Sequence, residues 1–215
     1  MPKHPARADP PEVVRTVAGP LSHEIEKVRG SRFLADVRPV ATREEAEEFV
    51  AQVREAHRDA THNCFAWRLG LDPEAVRYSD DGEPSGTAGR PIANEIHGRG
   101  LTNVAVVVSR WFGGTKLGTG GLIRAYGAAA SGALDRARVL ERPVTAPLTV
   151  SFAYGATGKV QGVLAAHGLE PVRSHYGTEV GLELAVPIRS IDALCRDLRD
   201  ATHGTARIEG SAGEG

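Results

Sequence analysis

The sequence predicts an α+β protein of two domains, and three observations carry that expectation. Two glycine-rich polar segments, 80–89 and 113–121, flank a valine-rich run, Val104–Val108. That run is too short for an independent helix and reads as a buried strand. Pro143 and Pro147 fall close together in the stretch Glu141–Pro147, which reads as a linker between unlike halves. Beyond it the pattern runs strand, helix, strand, strand, helix, strand, the order of a ferredoxin-like domain. The expected domains are 15–140 and 147–210.

In chain order, Val13–Pro20 reads as a first strand, and Ser22–Arg32 alternates as a strand bent at Gly30. Phe33–Val40 alternates again. Thr42 followed by Glu45 is a capping box, so a helix opens there and runs to about Asp59. Ala46, Phe49, Val50, Val53 and Ala56 form its apolar stripe. Thr61–Leu69 is a strand with Cys64 and Ala66 on one face and Phe65, Trp67 and Leu69 on the other. Gly70–Ala75 is a turn. Thr87 is placed to cap the next helix, with Pro91 early enough to be tolerated and Ile92 and Ile96 inside. The central strand Asn103–Arg110 leads through the second glycine segment into a helix beginning near Thr119 or Gly120, with Leu122, Ile123 and Tyr126 packing inward. In the second half the strands are Leu148–Tyr154, Leu169–Tyr176, Glu179–Ile188 and Ala206–Glu209, and the helices are Thr157–Gly168 and Ile191–Thr202.

Charge balance bounds the function. With 26 Lys and Arg against 27 Asp and Glu, no global field attracts nucleic acid, and any basic surface must be local. Cys64 and Cys195 are the only cysteines, and no signal core precedes them, so reduced thiols in a cytoplasmic protein are expected. Residues 1–14 read as a loose tail. No run approaches the roughly 20 apolar residues of a membrane span, so no membrane partner is expected.

Chemistry concentrates in the glycine segments. Asp80, Asp81 and Glu83 could ligate Mg²⁺ beside a phosphate, or crowd one another into a general acid, or form an acidic turn with Ser85 and Thr87. Short side chains beside Gly82 and Gly86 favour bracing of the turn by Asp80 and Asp81 over tight metal binding. Gly118, Thr119, Gly120 and Gly121 follow a strand and open a helix, the usual setting for an anion on free N–H groups, with Lys116 and Arg124 adding charge. This is no Walker loop, because no glycine directly precedes Lys116 and Leu117 follows it; nor does a dinucleotide fingerprint fit. Close helix-to-sheet packing explains the same glycines equally well. Arg110, Trp111 and Phe112 combine a phosphate partner with aromatic faces that stack on bases or fill a core. His57, His62 and Cys64 lack the spacing of a structural zinc site or of a deaminase, so no metal is expected, and His62 reads as a hydrogen-bonding neighbour of the turns. There is no G-x-S-x-G elbow. No catalytic residue and no cofactor is assigned.

Several longer motifs carry a resemblance. They are Ser31-Arg32-Phe33, Ala60-Thr61-His62-Asn63-Cys64, the run from Asp80 to Gly89, Arg110-Trp111-Phe112-Gly113-Gly114 and the run from Leu117 to Tyr126. Together, in this order, they closely resemble the YigZ family, the bacterial relatives of IMPACT proteins. The resemblance implies a first domain like the second domain of ribosomal protein S5 and domain IV of elongation factor G, with a ferredoxin-like second domain. It also implies an RNA- or ribosome-associated factor in translation regulation. The residues leave open an enzyme acting on a phosphorylated small molecule, and an interaction module with a protein partner whose motifs are architectural.

Overall fold

The computed structural model describes residues 12–72 and 75–210. Most of the expected tail, and two residues of the turn expected at 70–75, lie outside the described residues. The chain divides into two compact units: Val14–Arg142, and the part from Pro143 onward together with residues 12–13.

The first unit runs β1 (Val13–Val17), β2 (Leu21–Glu24), β3 (Arg32–Pro39), α1 (Arg43–Ala56), β4 (His62–Arg68), β5 (Val76–Ser79), α2 (Gly89–Gly98), β6 (Val104–Trp111), α3 (Gly118–Arg136) and β7 (Val139–Pro143). Five strands form an antiparallel sheet in the order β2-β3-β6-β4-β5. β1 and β7 make a separate two-stranded ribbon. β6 is the middle strand and is covered on both faces, which is why its sequence is continuously apolar rather than alternating. Val104, Val106 and Val108 pack with Ile92 and Ile96 of α2 and Leu122 and Tyr126 of α3. Ala105 and Val107 pack on the other side with Phe49, Val50 and Val53 of α1. Phe33 meets Tyr126 edge to face with ring centroids 5.2 Å apart.

Local chemistry fixes the element ends. Thr42 Oγ1 accepts the Glu45 N–H at 3.2 Å, and the Glu45 carboxylate reaches back to the Ala41 N–H at 2.6 Å, one residue earlier than in the usual capping box. α1 stops at Ala56, which is exposed, so the stripe ends at Val53. The strand expected over 22–32 is shorter. β2 ends at Glu24, and the chain reverses through a bridge between Val28 and Ser31. Thr87 does not cap α2: its hydroxyl donates to the Pro84 carbonyl at 2.6 Å, and the N-cap position is Ala88, which has no oxygen to offer. Ile123 points outward at 45% exposure, because the small residues Ala125, Ala129 and Ala130 take the inner face of α3.

The second unit runs β8 (Thr145–Phe152), α4 (Thr157–Ala166), β9 (Arg173–Tyr176), β10 (Val180–Pro187), α5 (Ile191–Ala201) and β11 (Arg207–Gly210). Its sheet order is β11-β8-β10-β9, antiparallel throughout, the ferredoxin-like arrangement. Leu148, Val150 and Phe152 of β8 meet Val160, Leu164, Leu194 and Leu198 of the helices in one core. The stretch 141–147 is not a loop, since β7 and β8 run through it. Among the described residues β11 pairs with β8 only as far as Leu148, so no partner strand on that side meets Pro147. No helix among the described residues is long and apolar enough to cross a membrane.

Phe152 is 1% exposed at the centre of the second core. Phe152→Ala should destabilise this unit by about 3–5 kcal/mol, read as a lowered urea midpoint. A cost below about 1 kcal/mol would mean that the ring does not organise the core.

Candidate functional site

The first glycine segment is built on Asp80. Its Oδ1 accepts the Ala88 and Gly89 N–H groups at 2.9 and 2.8 Å, and its Oδ2 accepts the Gly86 N–H at 2.8 Å. Asp80 therefore supplies from eight residues away the acceptor that α2 lacks at its own cap position. Burial pushes the Asp80 pKa up, but the N–H groups of Gly86, Gly89 and Ala88 outweigh it and hold the pKa below its ordinary value. Asp81 faces the other way: its carboxylate accepts the Asn63 N–H and an Arg54 N–H, each at 2.7 Å. His62 Nδ1 donates to the Asp81 carbonyl at 2.7 Å, and the Cys64 thiol donates to the Asp80 carbonyl at 3.0 Å. Both aspartates are thus turn and strand fasteners. Ser85 is exposed on the outside of the turn.

Glu83 turns inward. Its Oε1 accepts the Arg110 Nη1 at 2.5 Å and the Tyr126 hydroxyl at 2.8 Å. The Arg110 and Glu83 side chains are 6% and 4% exposed, so this ion pair is shielded from solvent and joins the first glycine segment to the end of β6 and to α3. Arg110 Nη2 also reaches Ser31 Oγ at 3.3 Å, and Ser31 Oγ accepts the Gly113 N–H at 3.1 Å. Gly113 is obligatory at this contact: a Cβ there would lie 1.9 Å from the carbonyl carbon of Gly30.

The second glycine segment opens α3. Gly118 has φ +69°, a left-handed conformation that glycine adopts without strain, and Leu117 at the N-cap provides no capping oxygen. The first turn carries no acidic residue. It borders a cleft of about 350 Å³ lined by Glu83, Pro84, Arg110, Phe112, Lys116 and residues 117–119, among others. The two glycine segments therefore share one cleft. Phe112 is 48% exposed at its rim and lies 5.6 Å from the Arg110 guanidinium.

The sequence-derived site changes in three ways. Arg110 is not on the surface, because Glu83 and Tyr126 draw it into the core. Trp111 alternates to the opposite face of β6, where its Nε1 donates to Asp59 at 2.9 Å and its ring carries Arg32 at 4.6 Å, so it cannot stack on a ligand in this cleft. The aromatic at the cleft is Phe112, a position that strand alternation after Arg110 points to. Arg124 sits apart from Lys116, beside Gly120 and in a neighbouring hollow of about 260 Å³ with Arg29, a residue that no motif singles out. Lys116, Gly118 and Thr119 share the main cleft, while Gly121 borders the hollow.

Residues 29–134 match the Impact N-terminal domain, and residues 150–205 match a domain of unknown function, DUF1949. The IMPACT family member YvyE of Bacillus subtilis is 37% identical over 90% of this chain and 89% of its own. This chain belongs to the IMPACT family. The Escherichia coli member YigZ is 32% identical, covering 86% of this chain and 91% of that protein. The crystal structure of a hypothetical protein superposes with a TM-score of 0.76 at 32% identity, covering 92% of this chain and 96% of that one. Mouse Protein IMPACT is 34% identical over 46% of this chain and 32% of its own, so the likeness to the mammalian member covers under half of either protein. The Impact N-terminal match spans the cleft, from Glu83 through Phe112 to Thr119.

Burial pushes the Cys64 thiol up to about 12 from 9.0, and it pushes the Tyr126 hydroxyl up as well. Folding therefore favours the protonated thiol, so its contribution to stability is present below about pH 9 and is lost as pH rises from 9 toward 12. Urea unfolding of this family member should show stability falling above pH 9, with a shallower fall in Cys64→Ala. A Cys64→Ala profile parallel to wild type would contradict a shifted thiol.

Proposed function

We propose that the first unit binds a single RNA strand, as part of an RNA- or ribosome-associated role in regulating translation. One observation carries this reading: the exposed Phe112 ring stands beside Lys116 at the uncapped start of the 19-residue helix α3. An aromatic face suits an unstacked base, and a lysine with free backbone N–H groups suits the adjoining phosphate. Among the described residues neither Lys116 nor Arg124 has an ion-pair partner, so both charges are available to phosphates. The net charge of −1 makes binding local and modest.

A second reading has its own support. A cleft of about 350 Å³ is within the range of small-molecule sites, and a carboxylate and a guanidinium meet at its lining. An enzyme acting on a phosphorylated small molecule would use the same anion position.

Filter binding of single-stranded RNA across a salt series tests the first reading. Wild type should show saturable binding with log K falling by roughly 0.7 per decade of salt for each phosphate contact. Lys116→Ala and Arg124→Ala should each lower that slope by about one contact without changing the thermal melt. Absence of saturable binding at low salt, together with tight binding of a phosphorylated small molecule, would transfer the site to the second reading. Unchanged RNA binding in the Lys116→Ala, Arg124→Ala double variant would remove this surface from the account.

A further inference from the structure

Glu83 has more acceptor capacity than the fold uses. Arg110 and Tyr126 both donate to Oε1, and the ring nitrogen of His62 stands 3.9 Å from the same atom. Among the described residues Oε2 has no hydrogen-bond partner, although the side chain is only 4% exposed. Oε2 is not among the fully buried atoms that lack a partner, so it is open to a donor from outside the fold, and a carboxylate oxygen accepts two hydrogen bonds with ease. Glu83 lines the cleft that also holds Phe112 and Lys116. The unfilled acceptor, the aromatic face and the anion position therefore border one space.

We infer that this cleft selects a base carrying an exocyclic amine, with the amine donating to Glu83 Oε2 while Phe112 takes the ring face and Lys116 with the start of α3 takes the phosphate. The inference rests on the RNA-binding reading of the same cleft and adds base preference to it. Cytosine, adenine and guanine each offer an amino group. Uracil offers a single ring N–H between two carbonyl oxygens, and those oxygens would be driven against the carboxylate. Amine donation to an acidic side chain is a known form of base readout. Arg110 is held by Glu83 and Ser31 and keeps the carboxylate fixed in place. Repulsion between that carboxylate and the two uracil carbonyls is what rejects uracil.

Binding of hexacytidylate and hexauridylate at one low salt concentration tests this directly. The two have equal charge, length and ring size and differ in the base edge, and a methylated cytidylate separates that edge from stacking. The cytidylate should bind on the order of tenfold more tightly, the worth of one hydrogen bond to a charged acceptor. A cytidylate dimethylated at the exocyclic amine should fall to the uridylate level on the wild-type protein, a comparison that needs no variant to fold. Glu83→Gln, checked by thermal melt, should reduce the preference below about twofold, because an amide donor then stands where Oε2 was. Equal binding of the two hexamers would overturn the base selection while leaving RNA binding intact. Binding of neither hexamer would overturn both.

Discussion

The buried ion pair of Glu83 and Arg110 is the constraint on which the first unit depends. It ties a turn, a strand end and a helix, because Tyr126 of α3 donates to the same carboxylate oxygen. A charged pair with side chains 6% and 4% exposed has lost nearly all its hydration, and it persists only where hydrogen bonds replace the lost water. The replacement is incomplete. Arg110 Nε is buried without a partner. Phe33 and Phe112 flank the guanidinium at 5.6 Å each, so aromatic faces offset part of that cost. A pair maintained on such terms is expected to hold geometry as well as stability.

What it holds is the meeting of the glycine segments. Asp80 gathers three backbone N–H groups and sets the start of α2, which leaves Glu83 directed inward three residues later. On the other side, Gly113 lies so close to Gly30 that no side chain fits, and Ser31 ties that contact to Arg110. The chain then turns through Gly118 into α3 with its first N–H groups uncapped. Fastened aspartates and a fastened glycine contact thus deliver an unfastened helix start to the cleft. The same stretch thus combines a glycine packed too closely for a side chain with a helix start that has no side-chain cap.

Much of this was legible from sequence where local rules govern. Thr42 and Glu45 announced α1, the unbroken valines announced a strand covered on both faces, and the strand–helix order announced the second unit. Proline was misleading at 141–147, because strands tolerate it where no neighbour needs its N–H, and sequence does not reveal which strand positions those are. Thr87 failed as a cap because a carboxylate eight residues away from Ala88 took the N–H groups first, a contact that no local rule anticipates. The site suffered from the same blindness. Arg110, Trp111 and Phe112 are consecutive, and only the identity of the buried partner decides which faces the cleft. Glu83 decides it by drawing Arg110 inward, which sends Trp111 to the α1 face and leaves Phe112 at the rim.

The central claim is that Glu83 and Arg110 act as one unit. Urea unfolding of Glu83→Ala, Arg110→Ala and the double variant measures it most directly. Each single change should cost about 3–5 kcal/mol, since each strands a buried charge. The double change should cost less than the sum of the two by about 2 kcal/mol or more, as for groups in direct contact. Single costs under about 1 kcal/mol that simply add would contradict the account, for the pair would then be incidental to the fold and to the cleft it frames.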